Sequence, residues 1–328
     1  MGIKYLNRYL KSNCNKGLEY ISIDKLEDKT IVIDTSIYMY KYLEENALLE
    51  NFFILITHFR TYHITPLFIF DGKADASKME LLWKRVDKKR EALKEYEKLR
   101  LLMETVKECN KKSVLDKMEL CRKNSTRVRQ EDIVILKKLF DAMGVFYYTA
   151  PMEADIICAY AVKKGIAWAC MSDDMDLFVY GCNRVLREWN IHKNCGILYN
   201  RDQIMKEVRV ESRYFSHILL LLGSDYHQEI CKHEVIHIDT AFKWYDEFMK
   251  NVILRRVVPG TNPYSFYDWL LATNKISTEN RKKLEIIDKM YLIPDEVVLD
   301  VTTAPHTATP NINWSELQKL MAPYGFVI

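Results

Sequence analysis

Four short apolar runs limit what this chain can fold into. TIVID (30–34), PLFIFDG (66–72), VFYYTAP (145–151) and IAWACMSDD (166–174) are rich in β-branched and aromatic residues and do not alternate with polar ones. A strand that is apolar on both sides must be covered on both faces, the condition of a parallel sheet between helices. Helix-length segments separate the runs. A tyrosine-rich helix follows Asp34, and EADIICAYAVKKG (153–165) reads as a helix closed by Gly165. The predicted fold class is therefore α/β, with a mostly parallel central sheet flanked by helices. AFKWYDEFMKNVI and WSELQKLM predict a helical C-terminal part, which divides the chain into residues 1–240 and 241–328.

The same runs end in acids. Asp34 closes the first, Asp71 follows LFIF, and Asp174 and Asp176 follow WACMS. In an open α/β sheet the carboxyl ends of the strands face one crevice. Glu153 and Asp155 open the helix after the third run, so they belong at the same rim, and Asp225 in LLGSDY follows an apolar helix. Carboxylates gathered without counter-charge repel one another and raise one another's pKa. An oxygen-only donor set suits hard divalent cations, magnesium or manganese, better than zinc. Taken singly, each acid has a plainer role: Asp34 as a helix cap, Glu153 and Asp155 as answers to a helix dipole, Asp71 and Asp225 as turn residues. Their joint placement at one sheet edge is what points to a site.

Between Lys73 and Gln130 the pattern changes. The stretch has no Gly or Pro and is dense in Lys, Arg and Glu, which predicts helices inserted between two strands. The overall balance, 48 Lys+Arg against 45 Asp+Glu, does not by itself demand a nucleic-acid partner, so the distribution carries the argument. Lys78 and Arg85 lie seven apart and share a helix face. Lys84, Lys88 and Lys89, with Arg127 and Arg129 in RKNSTRVRQ (122–130), offer salt-sensitive contacts to a phosphate backbone. The plainer reading of such a stretch is a solvated helix surface. The eight cysteines include no C-x-x-C pair, which predicts reduced thiols rather than a zinc site. MGIKYLNRYL has no apolar signal segment and no apolar run is bilayer-length, so a cytoplasmic protein with no membrane partner is expected.

Six segments carry a resemblance: MGI at the start, IVIDTSIYMY around Asp34, FIFDG at Asp71, MGVFYYTAPMEAD (143–155), SDDMDLFVYG (172–181) and LLLLGSDY (219–226). In these segments, their order and their spacing, the chain resembles the flap-endonuclease family of 5′ nucleases, in its poxviral branch. The resemblance implies a PIN-like nuclease core with a basic helical arch over residues 73–130. It implies two Mg2+ (or Mn2+) ions per active site, held by Asp71, Glu153, Asp155, Asp174 and Asp176, with Asp34 and Asp225 flanking them in the catalytic set. Lys78 and Arg85 would reach the scissile phosphate, Tyr40 would stack on a base beside the cut, and Gly2 would lie against the DNA. The implied substrates are branched, nicked or 5′-ended DNA. The implied setting is replication, recombination and double-strand-break repair, with other replication or repair proteins as partners. For the poxviral branch the place is viral replication sites in the host cytoplasm.

The resemblance breaks after LLGSDY. Family members carry a glycine-rich hairpin there whose amides bind duplex phosphates, whereas this chain has no glycine between Gly223 and Gly260. Without glycine the backbone cannot readily approach a phosphate that closely. His227, His233 and His237 occupy the stretch instead. Asp173, beside Asp174 in the fourth run, is given no ligand role. Two other readings stand beside the nuclease. One is a DNA-junction scaffold that has lost catalysis, against which the intact carboxylates argue, since a binder gains nothing from anions beside DNA. The other is a metal nuclease directed at RNA, which stays open because nothing here reads a 2′-hydroxyl.

Overall fold

The computed structural model describes residues 2–73, 79–103, 108–224, 226, 236–254, 262, 265–294 and 311–325. Lys78, Asp225, His227 and His233 therefore lie outside the described residues, as does most of the segment that replaces the glycine-rich hairpin.

Seven strands form one sheet: β1 (Leu18–Ser22), β2 (Thr30–Asp34), β3 (Thr65–Phe70), β4 (Phe146–Thr149), β5 (Ala169–Met171), β6 (Arg184–Asn190) and β7 (Cys195–Asn200). Their order is β1-β7-β6-β5-β2-β3-β4. The five strands from β6 to β4 run parallel. The β6–β7 hairpin and the edge strand β1 are antiparallel. This is the expected α/β sheet, with an antiparallel margin that the four apolar runs did not announce. The fourth run is also less extended than expected, since only three of its residues pair as strand.

Successive residues of a strand point to opposite faces, and here both faces are packed. Ile31 and Ile33 of β2 join one core with Phe68, Phe70, Met171 and Leu186. Val32 joins the other with Leu67, Ile69, Cys170 and Val185. Unalternating apolar strands are thus a direct consequence of burial on both sides.

Helices α1 (Leu6–Asn13), α2 (Thr35–Glu44) and α3 (Leu48–Thr61) come early in the chain. Between β3 and β4 stand two long helices, α4 (Met79–Leu102) and α5 (Glu108–Ser125), and then α6 (Gln130–Met143). On one face of the sheet, α2, α3 and α6 pack through rings such as Phe68 and Phe140, stacked 4.2 Å apart. On the other lie α1, α7 (Ala154–Lys163), α8 (Arg201–Glu207) and α9 (Ser212–Leu221). The C-terminal helices divide between the faces. Ile238–Ile253, Phe266–Ala272 and Thr278–Met290 cover the α7 side, and Trp314–Met321 covers the α6 side.

The α4–α5 pair is pinned to the core at its base. Arg122 donates to the Glu44 carbonyl (2.5 Å) and to Asn46 Oδ1 (2.9 Å) while gripping Glu119 through two nitrogens. Arg127 donates across the pair to the Val86 carbonyl (3.3 Å). Among the described side chains, Cys14, Cys121, Cys158, Cys170, Cys182 and Cys195 are free thiols, all but Cys121 buried. Among the described residues no helix is long and apolar enough to cross a membrane.

Candidate metal centre

Strand register gathers the acids. Asp34 pairs with Ile69 and Ile33 with Met171, so β2, β3 and β5 end at one level, and Phe70 pairs with Thr149 of β4. Asp34 then caps α2, accepting a long bond from the Ile37 amide at 3.5 Å. Asp71 sits one residue past β3, and its Oδ1 accepts the Ala154 amide at 2.8 Å. That bond holds Asp71 against the N-terminus of α7, where Glu153 is the cap residue and Asp155 lies in the first turn. Gly72 permits the approach, because its own amide donates to the Met152 carbonyl (2.7 Å) and a Cβ would strike the Ala150 carbonyl.

The loop after β5 supplies the remaining pair. Ser172 Oγ donates to Asp34 Oδ2 (3.0 Å) and accepts the Asp174 amide (3.1 Å). Asp174 Oδ1 accepts the Asp176 amide (2.9 Å), and Asp176 Oδ2 accepts the Tyr291 hydroxyl (2.5 Å). Tyr226 donates to Glu153 Oε2 (3.2 Å). Gly2 lies directly against the pair. A Cβ there would stand 2.6 Å from Asp176 Oδ1 and closer still to Asp174 Oδ1, so both oxygens converge on one point and only glycine fits. Gly2 also has φ +82°, a conformation other residues resist.

The electrostatics agree with this convergence. Burial pushes the Asp34 pKa up to about 8, the charge of Asp71 adds to it, the Ser172 hydrogen bond opposes it, and Asp174 raises it further. The buried Tyr180 phenol is raised well above its ordinary value, first by burial and then by Tyr226, Glu153, Asp155 and Asp176. Asp34 thus feels Asp71 and Asp174, Tyr180 feels Glu153, Asp155 and Asp176, and the seventh predicted carboxylate, Asp225, lies outside the described residues. No three donor side chains among the described residues are already closed around a single ion position. The donor chemistry nonetheless fits a hard divalent cation: carboxylate oxygens, two of them side by side against Gly2, and no nitrogen or sulfur. Asp173 is spoken for elsewhere. Its Oδ1 accepts the Glu188 amide (2.7 Å) and its carbonyl accepts Arg187 (2.7 Å).

Comparison with known proteins places this geometry. Residues 1–92 match the XPG N-terminal domain and residues 144–225 match the XPG I-region, together more than half of the chain. The chain belongs to the XPG family. Flap endonuclease 1 of Encephalitozoon cuniculi is 28% identical over 243 residues, covering 69% of this chain and 68% of that protein. The "Probable RAD2-like endonuclease 369L" of Invertebrate iridescent virus 6 is 29% identical over 282 residues, 70% of this chain and 68% of that one. Among solved structures, the catalytic core of Rad2 in complex with DNA substrate aligns with a TM-score of 0.64 at 20% identity, over 98% of this chain and 95% of that one. Human GEN1 in complex with Holliday junction DNA aligns with a TM-score of 0.57 at 16% identity, over 98% and 73%. At such identities these two likenesses establish the fold.

Within this XPG-family core, α4 and α5 carry the basic residues. Arg85 is half-buried on α4, while Lys84 and Lys88 are exposed, as are Arg127 and Arg129 between α5 and α6. Tyr38 and Tyr42, one helical turn apart, are fully buried, whereas Tyr40 is half-exposed. Lys89 Nζ stands 4.1 Å above the Tyr40 ring, so the helical insertion touches the core at the aromatic assigned to base stacking. Ser172, Tyr226 and Tyr291 are members of the site that sequence reasoning missed. The first two sit inside quoted motifs. Nothing in the spacing of the chain marks Tyr291, which comes 115 residues after its partner Asp176.

Proposed function

We propose that this chain is a divalent-metal-dependent, structure-specific 5′ nuclease that hydrolyses DNA phosphodiesters at flaps, nicks or 5′ ends. The observation that carries the reading is the convergence of Asp34, Asp71, Glu153, Asp155, Asp174 and Asp176 at the carboxyl edge of the sheet, beside a basic helical insertion. Asp71, Glu153, Asp155, Asp174 and Asp176 would hold two Mg2+ or Mn2+ ions, with Asp34 and Asp225 flanking them. When bound, such ions lower the pKa of water and neutralise charge on the scissile phosphate.

The chain's own residues do the remaining work. Gly2 and Ser172 hold the loop that carries Asp174 and Asp176, and ion binding would draw these acids together with the others. Arg85, with Lys78, offsets charge that builds on the phosphoryl oxygens. Tyr40 offers a stacking face once Lys89 leaves it. Lys84, Lys88, Lys89, Arg127 and Arg129 hold backbone phosphates. The names of Flap endonuclease 1 and the iridovirus RAD2-like endonuclease among the relatives support an endonuclease acting on flap DNA, and replication, recombination or double-strand-break repair as setting belongs to the same proposal. A place among viral enzymes of the cytoplasm belongs to the same proposal. The test is cleavage of labelled flap, nicked, gapped, blunt and RNA substrates in magnesium and in excess chelator. Metal-dependent cutting of the branched DNA supports the reading; cutting confined to RNA, or none at all, overturns it.

A further inference from the structure

We infer that Tyr291, from the C-terminal helical part, is a positioning residue of the metal centre. The inference rests on the proposed nuclease reading and assigns a role to a segment that the family motifs do not reach. Tyr291 follows Thr278–Met290 as that helix's C-cap residue and is almost fully buried. Its hydroxyl donates to Asp176 Oδ2 at 2.5 Å, the length of a charge-assisted O–H···O⁻ bond. The other oxygen, Oδ1, faces Gly2 and Asp174 Oδ1. One oxygen of this carboxylate is therefore held by a phenol, while the other lies on the Gly2 side beside Asp174. Released from Tyr291, Asp176 can rotate about its own side-chain torsions and lose that aim.

Tyr291 also couples two ligand-bearing elements. Its ring meets Tyr226 edge-on at 5.3 Å, and Tyr226 donates to Glu153 Oε2. Glu153 caps α7, and Asp176 opens the turn after β5. Two touching tyrosines thus each hold one acid, and their contact links the two acids they hold. Tyr180 packs against Tyr291 at 4.7 Å, yet its own hydroxyl makes no hydrogen bond among the described residues. The cluster contains its own control: three buried tyrosines, two that hold an acid and one that does not.

The test is manganese binding to the full chain without DNA, followed by the electron paramagnetic resonance of free Mn2+. Tyr291→Phe removes one oxygen and keeps the ring. It should weaken Mn2+ binding about tenfold, the scale at which partners of metal ligands act. The magnesium concentration for half-maximal cleavage should rise in parallel, with affinity for flap DNA in chelator unchanged. Tyr226→Phe should act in the same direction through Glu153, and it carries the test if Tyr291→Phe does not fold. Tyr180→Phe should bind Mn2+ as the wild type does. Wild-type affinity in both Tyr291→Phe and Tyr226→Phe, or an equal loss in Tyr180→Phe, overturns the inference while leaving the nuclease reading standing. A wild-type chain that binds no Mn2+ overturns the nuclease reading itself.

Discussion

Asp34→Asn should stabilise the metal-free protein. Asp34 is 4% exposed, and burial together with the charges of Asp71 and Asp174 pushes its pKa from 3.8 to about 8. The sign follows from proton linkage. A raised carboxyl adds stability below its unfolded pKa and loses it as pH climbs through the folded one, because the folded chain must keep a proton that the unfolded chain has released. At ~1.4 kcal/mol per pH unit, the interval from 3.8 to 7 amounts to about 4 kcal/mol of lost stability. An amide needs no proton and is close in shape, but it brings its own desolvation cost, so about half of that gain should survive, roughly 2 kcal/mol. For a chain of this size that is a rise in Tm of about 3 °C. The assay is thermal unfolding in chelator from pH 5 to pH 8. The advantage of Asp34→Asn should grow with pH, and added magnesium should raise the wild-type Tm more than the variant's. A variant that melts at or below the wild type at pH 8, or whose advantage shrinks as pH rises, refutes the reasoning.

Arg85→Ala should slow single-turnover cleavage about a hundredfold with little loss of affinity, whereas Lys88→Ala should mainly weaken binding and flatten its salt dependence; equal, small effects on rate and affinity at both positions would reduce α4 to a basic surface. Lys89 over Tyr40 is a half-exposed cation–π contact worth about 0.5–1 kcal/mol, less than the ~1–3 kcal/mol of base stacking, so a flap should displace it. Tyr40→Ala should then cost at least tenfold in flap affinity measured by anisotropy, and unchanged affinity would remove Tyr40 from the interface. Because residues 227–241 lack the glycines of a phosphate-binding hairpin, potassium should not stimulate cleavage over sodium at equal ionic strength, and the cut position should be less sharply defined. Cleavage maps in the two salts check this, and a potassium requirement with one sharp cut would contradict it.

Local periodicity made the sheet and its acidic rim legible, because a strand buried on both faces must be apolar throughout and because strand ends share a crevice. β2 and β3 were readable for that reason, and so were the acids attached to them, whereas β4 is a partly exposed edge strand readable from its aromatic residues. The margin was not. β1 has only Ile21 buried among its five residues, and β6 and β7 form a hairpin whose pattern mixes buried Trp189 with exposed Arg187 neighbours such as Glu188. Such antiparallel strands at one side of the sheet get their pairing from tertiary contact rather than from pattern. The same limit hid Tyr291. Its bond to Asp176 joins a helix end to a loop far earlier in the chain, and no spacing rule reports a contact of that range. Ser172 was within reach, since it stands between the strand and the acids it organises. The role of Gly2 became physical only in three dimensions, where two carboxylate oxygens occupy the space a side chain would need.

The central claim is that the gathered carboxylates act as one metal site for DNA hydrolysis. Single-turnover cleavage of a 5′-flap substrate by the wild type and by Asp174→Ala, in magnesium and in excess chelator, tests it most directly. The account predicts cutting by the wild type in magnesium alone. It predicts none by a folded Asp174→Ala variant that still binds the flap, as tightly or more so, because a negative charge beside the phosphates has gone. Near-normal turnover by Asp174→Ala, or robust wild-type cleavage in chelator, would contradict it.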